Sequence, residues 1–372
     1  MKSWRKLWKL SWRLAVCALL LAWIFQAIFY DEGKVAWQRQ GHGLAWDALT
    51  KVQRLEIAWT YGPPELLRTL ETMGPGGLIL SLVFMGLTIL IGVFRWQNVL
   101  RLQHLDLPLG RITQISFVAQ FFNSFLLGST GGDVLKAYYV ARETHHKKTE
   151  AVVTVLVDRV VGLFSMLLFA CIFMVPNWAL IRSNKDMRLL SVIVVAMMLG
   201  CGGFLILAFW SGFSRGIPSA RLWLRKLPKG AVLERSLDAC RQFGRDPLFL
   251  LRILMISMVL NGVCVLQFYA LTRAFHVHLP ILVLAALVPM VTAVASLPIT
   301  PSGLGVRENL FVRTLTIPGI GLEPKQALLL SLMAYAGFLF WSAIGGLVYA
   351  TLKERERLGE ITQETEAAPE PE

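Results

Sequence analysis

Six long runs of apolar residues dominate the sequence, and each is long enough to cross a membrane. A spanning helix needs about 20 consecutive apolar residues, because the hydrocarbon core of a bilayer is about 30 Å thick. The runs lie at 14–30, 76–94, 151–175, 189–211, 251–273 and 326–350. Every backbone polar group must be paired inside a bilayer, so runs of this length span as helices. The chain is therefore predicted to be an all-α polytopic membrane protein.

The composition agrees with this class and argues against others. Of the 372 residues, 55% are hydrophobic and only 16% are charged, and the mean hydropathy is +0.57. The formal net charge of +13 fits basic loops that face anionic lipid on the cytoplasmic side. No basic patch interleaved with aromatic residues occurs on a soluble segment, so nucleic acid is not an expected partner. The five cysteines are scattered and the histidines lack metal-ligand spacing, so we predict no disulfide framework, no metal and no other cofactor.

The distribution of Lys and Arg predicts how the chain is oriented. The residues before the first run are basic, and the loop 212–250 is the most basic part of the chain, so both are expected in the cytoplasm. A signal peptide would begin similarly, but the run lacks a small-x-small cleavage site. Six spans then place both termini in the cytoplasm of a plasma (inner) membrane. Residues 1–75 would form the first span and an extracytoplasmic loop, and the acidic tail 351–372 is predicted to be disordered.

Within the extracytoplasmic loop, residues 31–75, we expect short amphipathic pieces on the outer leaflet. Several Trp and Tyr residues lie there, and these side chains favour the membrane interface. The sequence Gly62-Pro63-Pro64 predicts a break between the pieces.

A glycine-rich polar stretch interrupts the chain after the second span. It reads Asn123-Ser124-Phe125-Leu126-Leu127-Gly128-Ser129-Thr130-Gly131-Gly132-Asp133-Val134-Leu135-Lys136. The apolar residues before it, 112–127, would form a helix only about 24 Å long, too short to cross. Irregular backbone occurs at membrane depth only where protein or a water-filled cavity covers it. We therefore predict a re-entrant hairpin over 112–141 that enters and leaves on the cytoplasmic side.

A second interrupted segment resembles the first. The short apolar run 281–296 is followed by small and hydroxyl residues and then by Arg307-Glu308. A second re-entrant hairpin, 281–317, would enter from outside. The order span, hairpin, span then occurs twice with opposite direction, at 76–175 and 251–350, within the membrane halves 76–211 and 251–350. This is the layout of an inverted repeat, in which paired broken segments indicate a transporter-type site.

Six ionisable residues lie in or beside apolar segments. They are Asp133, Lys136, Asp158, Arg159, Arg307 and Glu308. A charge at the bilayer centre costs at least about 2.5–3.5 kcal/mol, so such groups need partners or a use. Asp158 and Arg159 are adjacent on a helix and point to different faces, so each needs a partner elsewhere. We predict that Arg159 and Arg307 face Asp133 and Glu308 across a central polar cavity.

Two interpretations of Asp133 and Glu308 stay open at this point. Each acid stands at the start of a short helix, where it would cap free N–H groups, and Asp133 with Lys136 has the spacing of a helical ion pair. The same glycine-rich turns could instead present backbone N–H groups to a phosphate. We predict a substrate-binding site without catalytic residues. It comprises Asn123, Ser129, Thr130, Gly131, Gly132, Asp133, Lys136, Asp158, Arg159, Ser302, Gly303, Gly305, Arg307 and Glu308.

Three motifs together resemble a known family. They are Phe122-Asn123-x-Phe125-Leu126-Leu127-Gly128-x-x-Gly131-Gly132-Asp133-x-x-Lys136, Asp158-Arg159-x-x-Gly162-Leu163 and Pro301-x-Gly303-Leu304-Gly305-x-x-Glu308. Over roughly residues 76–350 the chain is similar to the lysylphosphatidylglycerol synthase transmembrane region, also called the flippase-like domain family. Leu127 replaces a proline that is common there, and Lys136 replaces an arginine.

The resemblance implies a flippase-like membrane domain that handles lipid. In the bifunctional relatives this region moves aminoacylated phosphatidylglycerol between leaflets, and a separate soluble domain makes that lipid. Few residues follow the last span here, so we expect no synthase domain and no enzymatic activity. We predict that the protein binds and translocates a phosphate-bearing lipid or a lipid-linked glycan. The alternatives are an intramembrane lipid-phosphate transferase and a non-transporting partner of a lipid synthase or glycosyltransferase.

Overall fold

A computed structural model of the protein describes residues 51–125, 131–144, 148–209, 241–297, 300 and 303–351, together with isolated residues between 26 and 50. These residues form helices joined by short connections. The principal helices are α1 (Lys51–Glu71), α2 (Pro75–Leu102), α3 (Leu109–Phe125), α4 (Gly131–Glu143), α5 (Lys148–Met174), α6 (Trp178–Ser183), α7 (Lys185–Phe209), α8 (Pro247–Ala274), α9 (Ile281–Ala295), α10 (Val306–Leu315) and α11 (Pro324–Thr351).

Five of these helices are long and apolar enough to cross a membrane. They are α2, α5, α7, α8 and α11, and they coincide with the last five predicted spans. The all-α polytopic class is therefore confirmed. Most of the first predicted span, 14–30, lies outside the described residues, as do most of the basic loop 212–250 and nearly all of the tail. The boundaries of the predicted domains stay predictions.

The break that was predicted at Gly62-Pro63-Pro64 is absent, because helix α1 continues through these residues. The helix runs without interruption from Lys51 to Glu71 and contains both prolines. Tertiary packing outweighs the local preference, because Ala58 is fully buried in a small apolar cluster with Phe29. Gly62 lies one turn further along, and a Cβ there would be only 2.6 Å from Phe29 Cβ. Close packing of this helix face thus holds the backbone helical through the prolines.

Helices α2 and α8 form an antiparallel pair at the centre of the fold. At one end the Gly74 N–H donates to the carbonyl oxygen of Ala274 over 2.9 Å. About six turns further along α2, Arg95 Nη1 donates to Ser257 Oγ over 3.3 Å. Gly77 allows the close approach, because a Cβ there would lie 2.7 Å from the Ala270 carbonyl oxygen. The first long helices of the two halves therefore run in opposite directions, as the inverted-repeat prediction requires.

Two pairs of shorter helices occupy the positions of the predicted hairpins. Helix α3 runs against α4, and α9 is followed by α10. In the first pair Arg111 Nε and Glu143 Oε1 are 2.6 Å apart at the open end. At the tip, the Gly132 N–H donates to Asn123 Oδ1 over 2.8 Å. The helices are thus placed as predicted, while their re-entry into a bilayer stays a prediction.

Each short-helix pair packs on the long helix that directly follows the short-helix pair of the other half. Helix α3 packs on α11, where Ser342 Oγ donates to the Gln120 carbonyl oxygen over 3.0 Å and the hydroxyls of Ser124 and Ser342 touch. Helix α9 packs correspondingly on α5, and Asn177 Nδ2 after α5 donates to the Leu282 carbonyl oxygen over 2.9 Å. This crossed packing interlocks the two halves and relates α2, α3, α4 and α5 to α8, α9, α10 and α11.

Candidate functional site

The first group of charged residues gathers where α4 begins. Asp133 lies in the first turn of α4, and its Oδ2 is 2.6 Å from Nε of Arg159 on α5. The side chain of Arg159 is 48% exposed, whereas that of Asp133 is 17% exposed. The sequence predicted that Arg159 would need a partner from another helix, and Asp133 is that partner. This is an ion pair whose cation is accessible from outside the protein.

Asp158, the neighbour of Arg159, pairs in another direction. Its Oδ1 is 2.8 Å from Nε of Arg95 on α2, and both side chains are only 11% exposed. Arg95 also contacts Ser257 on α8, so one buried guanidinium links α2, α5 and α8. Gly162 provides the space, since a Cβ there would lie 3.0 Å from Arg95 Nη1. Sequence analysis did not select Arg95 because it ends an apolar run, where basic residues ordinarily mark the cytoplasmic flank.

Lys136 completes this first group. Its Nζ lies 4.7 Å from the ring centroid of Trp96, and Asp133, Asp158, Arg95 and Arg159 are its charged neighbours. Among the described residues Lys136 forms no ion pair. The helical pair of Lys136 with Asp133 that the spacing predicted is therefore absent, and Asp133 binds Arg159 instead. Within the described part of the chain, the buried Trp96 Nε1 has no hydrogen-bond partner.

We call Arg95, Asp133, Lys136, Asp158 and Arg159 the first cluster. It holds three cations against two acids, which leaves one positive charge in excess.

The second cluster consists of Arg307, Glu308, Ser331 and Tyr335. The Glu308 carboxylate is completely buried in the first turn of α10. Its Oε2 accepts the Gly305 N–H over 2.6 Å, and its Oε1 accepts from Arg307 Nη2 over 2.6 Å and from Ser331 Oγ over 3.1 Å. Gly305 has φ 82°, which favours glycine at this helix start. The capping interpretation of Glu308 is confirmed.

The second cluster is neutral and closed. Arg307 is only 12% exposed, and its Cζ lies 4.9 Å from the ring centroid of Tyr335 on α11. The predicted pairing of arginines with acids therefore exists, but each pair lies within its own half. Helix α11 contacts Glu308 through Ser331 and the tip of α3 through Ser342. These two serines are separated by about 16 Å along the helix, given its rise of about 1.5 Å per residue.

Three N–H groups of the predicted glycine turns are not free, because each already has an acceptor. The Gly132 N–H is bound by Asn123, the Gly305 N–H by Glu308, and the Gly303 N–H donates to the Thr300 carbonyl oxygen over 3.3 Å. Gly131 begins α4, whereas Ser129, Thr130 and Ser302 lie outside the described residues. Across the described ranges no three His, Cys, Asp or Glu side chains come together as a metal site would require.

The Arg95–Asp158 pair gives a first prediction. We expect Asp158→Leu alone to destabilise the protein, because it leaves Arg95 buried without a carboxylate. The double variant Arg95→Met/Asp158→Leu should recover most of the loss. Thermal unfolding in detergent of the four proteins of this double-mutant cycle should give a coupling of about 2–3 kcal/mol. Additive effects of the two substitutions would contradict a direct pair.

Fold and charged clusters together define a polytopic helical membrane protein with paired charges inside its membrane domain. The sequence model of the family described as "Lysylphosphatidylglycerol synthase TM region" matches residues 54–345. The chain belongs to this family. It is also 24% identical over 293 residues to a UPF0104 membrane protein of Methanothermobacter thermautotrophicus strain Delta H, covering 73% of this chain and 82% of the relative.

Proposed function

We propose that this protein binds the headgroup of a phosphate-bearing lipid at the first cluster and moves it across the plasma (inner) membrane. The observation that carries the proposal is the excess positive charge of this cluster together with the 48% exposure of Arg159. A phosphodiester carries one negative charge and would balance the excess. Arginine suits the role because its guanidinium binds phosphate oxygens through two parallel hydrogen bonds. The family's association with a lipid supports the same substrate class.

The proposal assigns different roles to the charged residues. Arg159 would contact the phosphate, and Lys136 would add positive charge behind it. Arg95 and Asp158 would hold α2, α5 and α8 together beneath the site, since their pair is almost fully buried. No chemical step is included, so we propose a transporter rather than an enzyme. Glu308, which accepts from three groups and is completely buried, is poorly placed to act as an acid or base of a transferase.

The test compares Arg159→Gln with wild type in vesicles of phosphatidylcholine that contain fluorescent phosphatidylglycerol. Translocation is measured by the fraction of fluorophore that a membrane-impermeant reductant can reach over time. We expect Arg159→Gln to lose roughly tenfold or more in rate, because it removes a charged hydrogen bond to phosphate. Arg159→Lys should retain part of the rate.

The matched control is Arg313→Gln on α10. Arg313 is 53% exposed and lies 4.0 Å from Asp186, so its guanidinium is as accessible as that of Arg159 but lies outside both clusters. It should transport at the wild-type rate. Equal rates for Arg159→Gln and wild type would contradict the proposed site. Wild-type protein that transports only when a second protein is added would favour a partner of a lipid synthase or glycosyltransferase.

A further inference from the structure

The positive charge in excess at the first cluster belongs to one residue. Each arginine of the cluster has an acid of its own, in the pairs Arg95–Asp158 at 2.8 Å and Arg159–Asp133 at 2.6 Å. These two pairs are neutral. Lys136 is the remaining cation, and among the described residues it forms no ion pair. The excess charge is therefore present when Lys136 is protonated and absent when it is not.

The surroundings of Lys136 offer its ammonium group no carboxylate of its own. Its Nζ lies 4.7 Å from the ring centroid of Trp96, which is almost fully buried, and Lys136 itself is half-buried. The acids nearest to it, Asp133 and Asp158, already bind arginines. Helix α3, which also packs on α4, carries Arg111 as its one charged residue. The contact that the structure shows for this charge is thus an aromatic ring face and not an acid.

Lysine can lose its charge, whereas arginine cannot. A guanidinium stays protonated in proteins, and an ammonium group that is shielded from water readily changes its protonation state. Arg95 and Arg159 are charged neighbours of Lys136, so its positive charge is repelled by two others that are permanent. Of the three cations in the cluster, Lys136 is therefore the one that can exchange a proton with water. The 48% exposure of Arg159 shows that water reaches this cluster.

Counting the charge of the cluster shows what such an exchange allows. Without lipid, the cluster is neutral when Lys136 is unprotonated. With a phosphodiester bound at Arg159, the cluster is neutral when Lys136 is protonated, because the phosphodiester contributes one negative charge. The other two combinations carry a net charge, which is costly in the hydrocarbon core of a membrane. The two neutral forms are therefore the ones that can lose contact with water.

We propose that Lys136 binds a proton when Arg159 binds the lipid phosphate, so that the protein carries one proton across the membrane with each lipid. This inference rests on the proposed function. The proton comes from water on the side where the headgroup enters, is held at Nζ of Lys136, and returns to water where the headgroup leaves. A difference in pH between the two sides of the membrane then drives the lipid in one direction.

The first experiment measures how lipid is distributed under a difference in pH. It uses vesicles of phosphatidylcholine with fluorescent phosphatidylglycerol, and the membrane potential is held at zero with potassium and valinomycin. We expect the wild-type protein to concentrate the fluorescent lipid in the leaflet that faces the alkaline side. The ratio between leaflets should reach up to about tenfold per unit of pH difference, because one proton accompanies each lipid. Protein-free vesicles correct for unassisted movement.

Lys136→Arg is the deciding variant, because it keeps the positive charge but cannot release the proton. It should move lipid more slowly, since its empty cluster stays charged, and should distribute the lipid equally between the leaflets. Lys325→Arg is the matched control. Lys325 pairs with Glu323 near the start of α11, outside both clusters, so this variant should concentrate the lipid as the wild type does.

A second measurement depends neither on transport nor on a variant that folds. Short-chain phosphatidylglycerol is titrated calorimetrically into the wild-type protein in detergent, in buffers of equal pH but different ionisation enthalpy. The dependence of the heat on the buffer gives the number of protons that the protein takes up. We expect the uptake to reach about one proton per bound lipid at its maximum between about pH 6 and pH 9.

The outcomes separate this inference from the proposed function. Wild-type protein that moves lipid but distributes it equally overturns the inference, and so does lipid binding without proton uptake. A Lys136→Arg variant that concentrates lipid as the wild type does overturns the role of Lys136. Wild-type protein that binds lipid with proton uptake but moves none refutes the proposed transport while supporting the proton site.

Discussion

Gly132→Ala is expected to prevent the first short-helix pair from closing, with a loss of stability of about 4 kcal/mol or more. A Cβ at this position would overlap the carbonyl oxygen of Ala119 on α3 and would lie 2.6 Å from its carbonyl carbon and 2.8 Å from Asn123 Cγ. Backbone cannot yield as the end of a flexible side chain can, so α3 and α4 would have to separate. The hydrogen bond from Gly132 to Asn123 would then break.

The measurement is the yield of monodisperse protein in detergent and its thermal unfolding midpoint. Gly110→Ala is the matched control, because Gly110 lies on α3 and a Cβ there meets nothing within 4 Å. The control should equal wild type or exceed it slightly, since alanine favours helix over glycine. A Gly132→Ala protein as stable as the Gly110→Ala control would show that the two helices are not in this close contact.

Glu308→Ala is expected to cost about 3–5 kcal/mol, because it leaves Arg307 without its acid in a buried position. The same substitution leaves the Gly305 N–H without an acceptor at the start of α10. Glu308→Gln should recover part of the loss by keeping one carbonyl oxygen for these donors. Thermal unfolding in detergent measures the difference.

Glu323→Ala provides the comparison for Glu308→Ala. Glu323 is 60% exposed and pairs with Lys325 over 3.3 Å near the start of α11. Lys325 is 15% exposed, but the carboxylate that the substitution removes faces solvent, so its loss should cost about 0–1 kcal/mol and this variant should unfold close to wild type. If Glu308→Ala were as mild as Glu323→Ala, the carboxylate would not be the structural centre of the second cluster.

The long helices could be predicted from the sequence because a single physical requirement sets them. Comparing the length of each apolar run with the thickness of a bilayer predicted the last five spans. The interrupted apolar runs predicted the positions of the short helices. Predictions from local sequence preference were less accurate where tertiary packing opposes that preference. The prolines of α1 predicted a break, but the contacts of Ala58 and Gly62 with neighbouring segments keep the helix continuous.

The candidate site could be predicted in its residues but only partly in its geometry. Asp158 and Arg159 were expected to need separate partners because adjacent helix positions diverge, and they have them in Arg95 and Asp133. Which partner each takes depends on the packing of α2, α4 and α5, which periodicity does not give. Capping and phosphate binding were both open for the glycine turns. Glu308 caps the Gly305 N–H as its position at the helix start allowed, whereas the bond from the Gly132 N–H to Asn123 was not predicted from spacing.

The crossed packing has a consequence for how the protein is made. Helix α3 emerges from the ribosome early, yet the helix that covers it, α11, is the last of the described helices in the chain. Gly345, whose Cβ would lie 2.8 Å from the Phe117 carbonyl carbon, shows how closely that cover fits. Until α11 has been synthesised, the face of α3 that α11 covers in the finished protein therefore stays without this contact. Each half needs the other to cover its short helices. The connection between the halves is therefore not a suitable place to divide the chain into fragments that are produced separately.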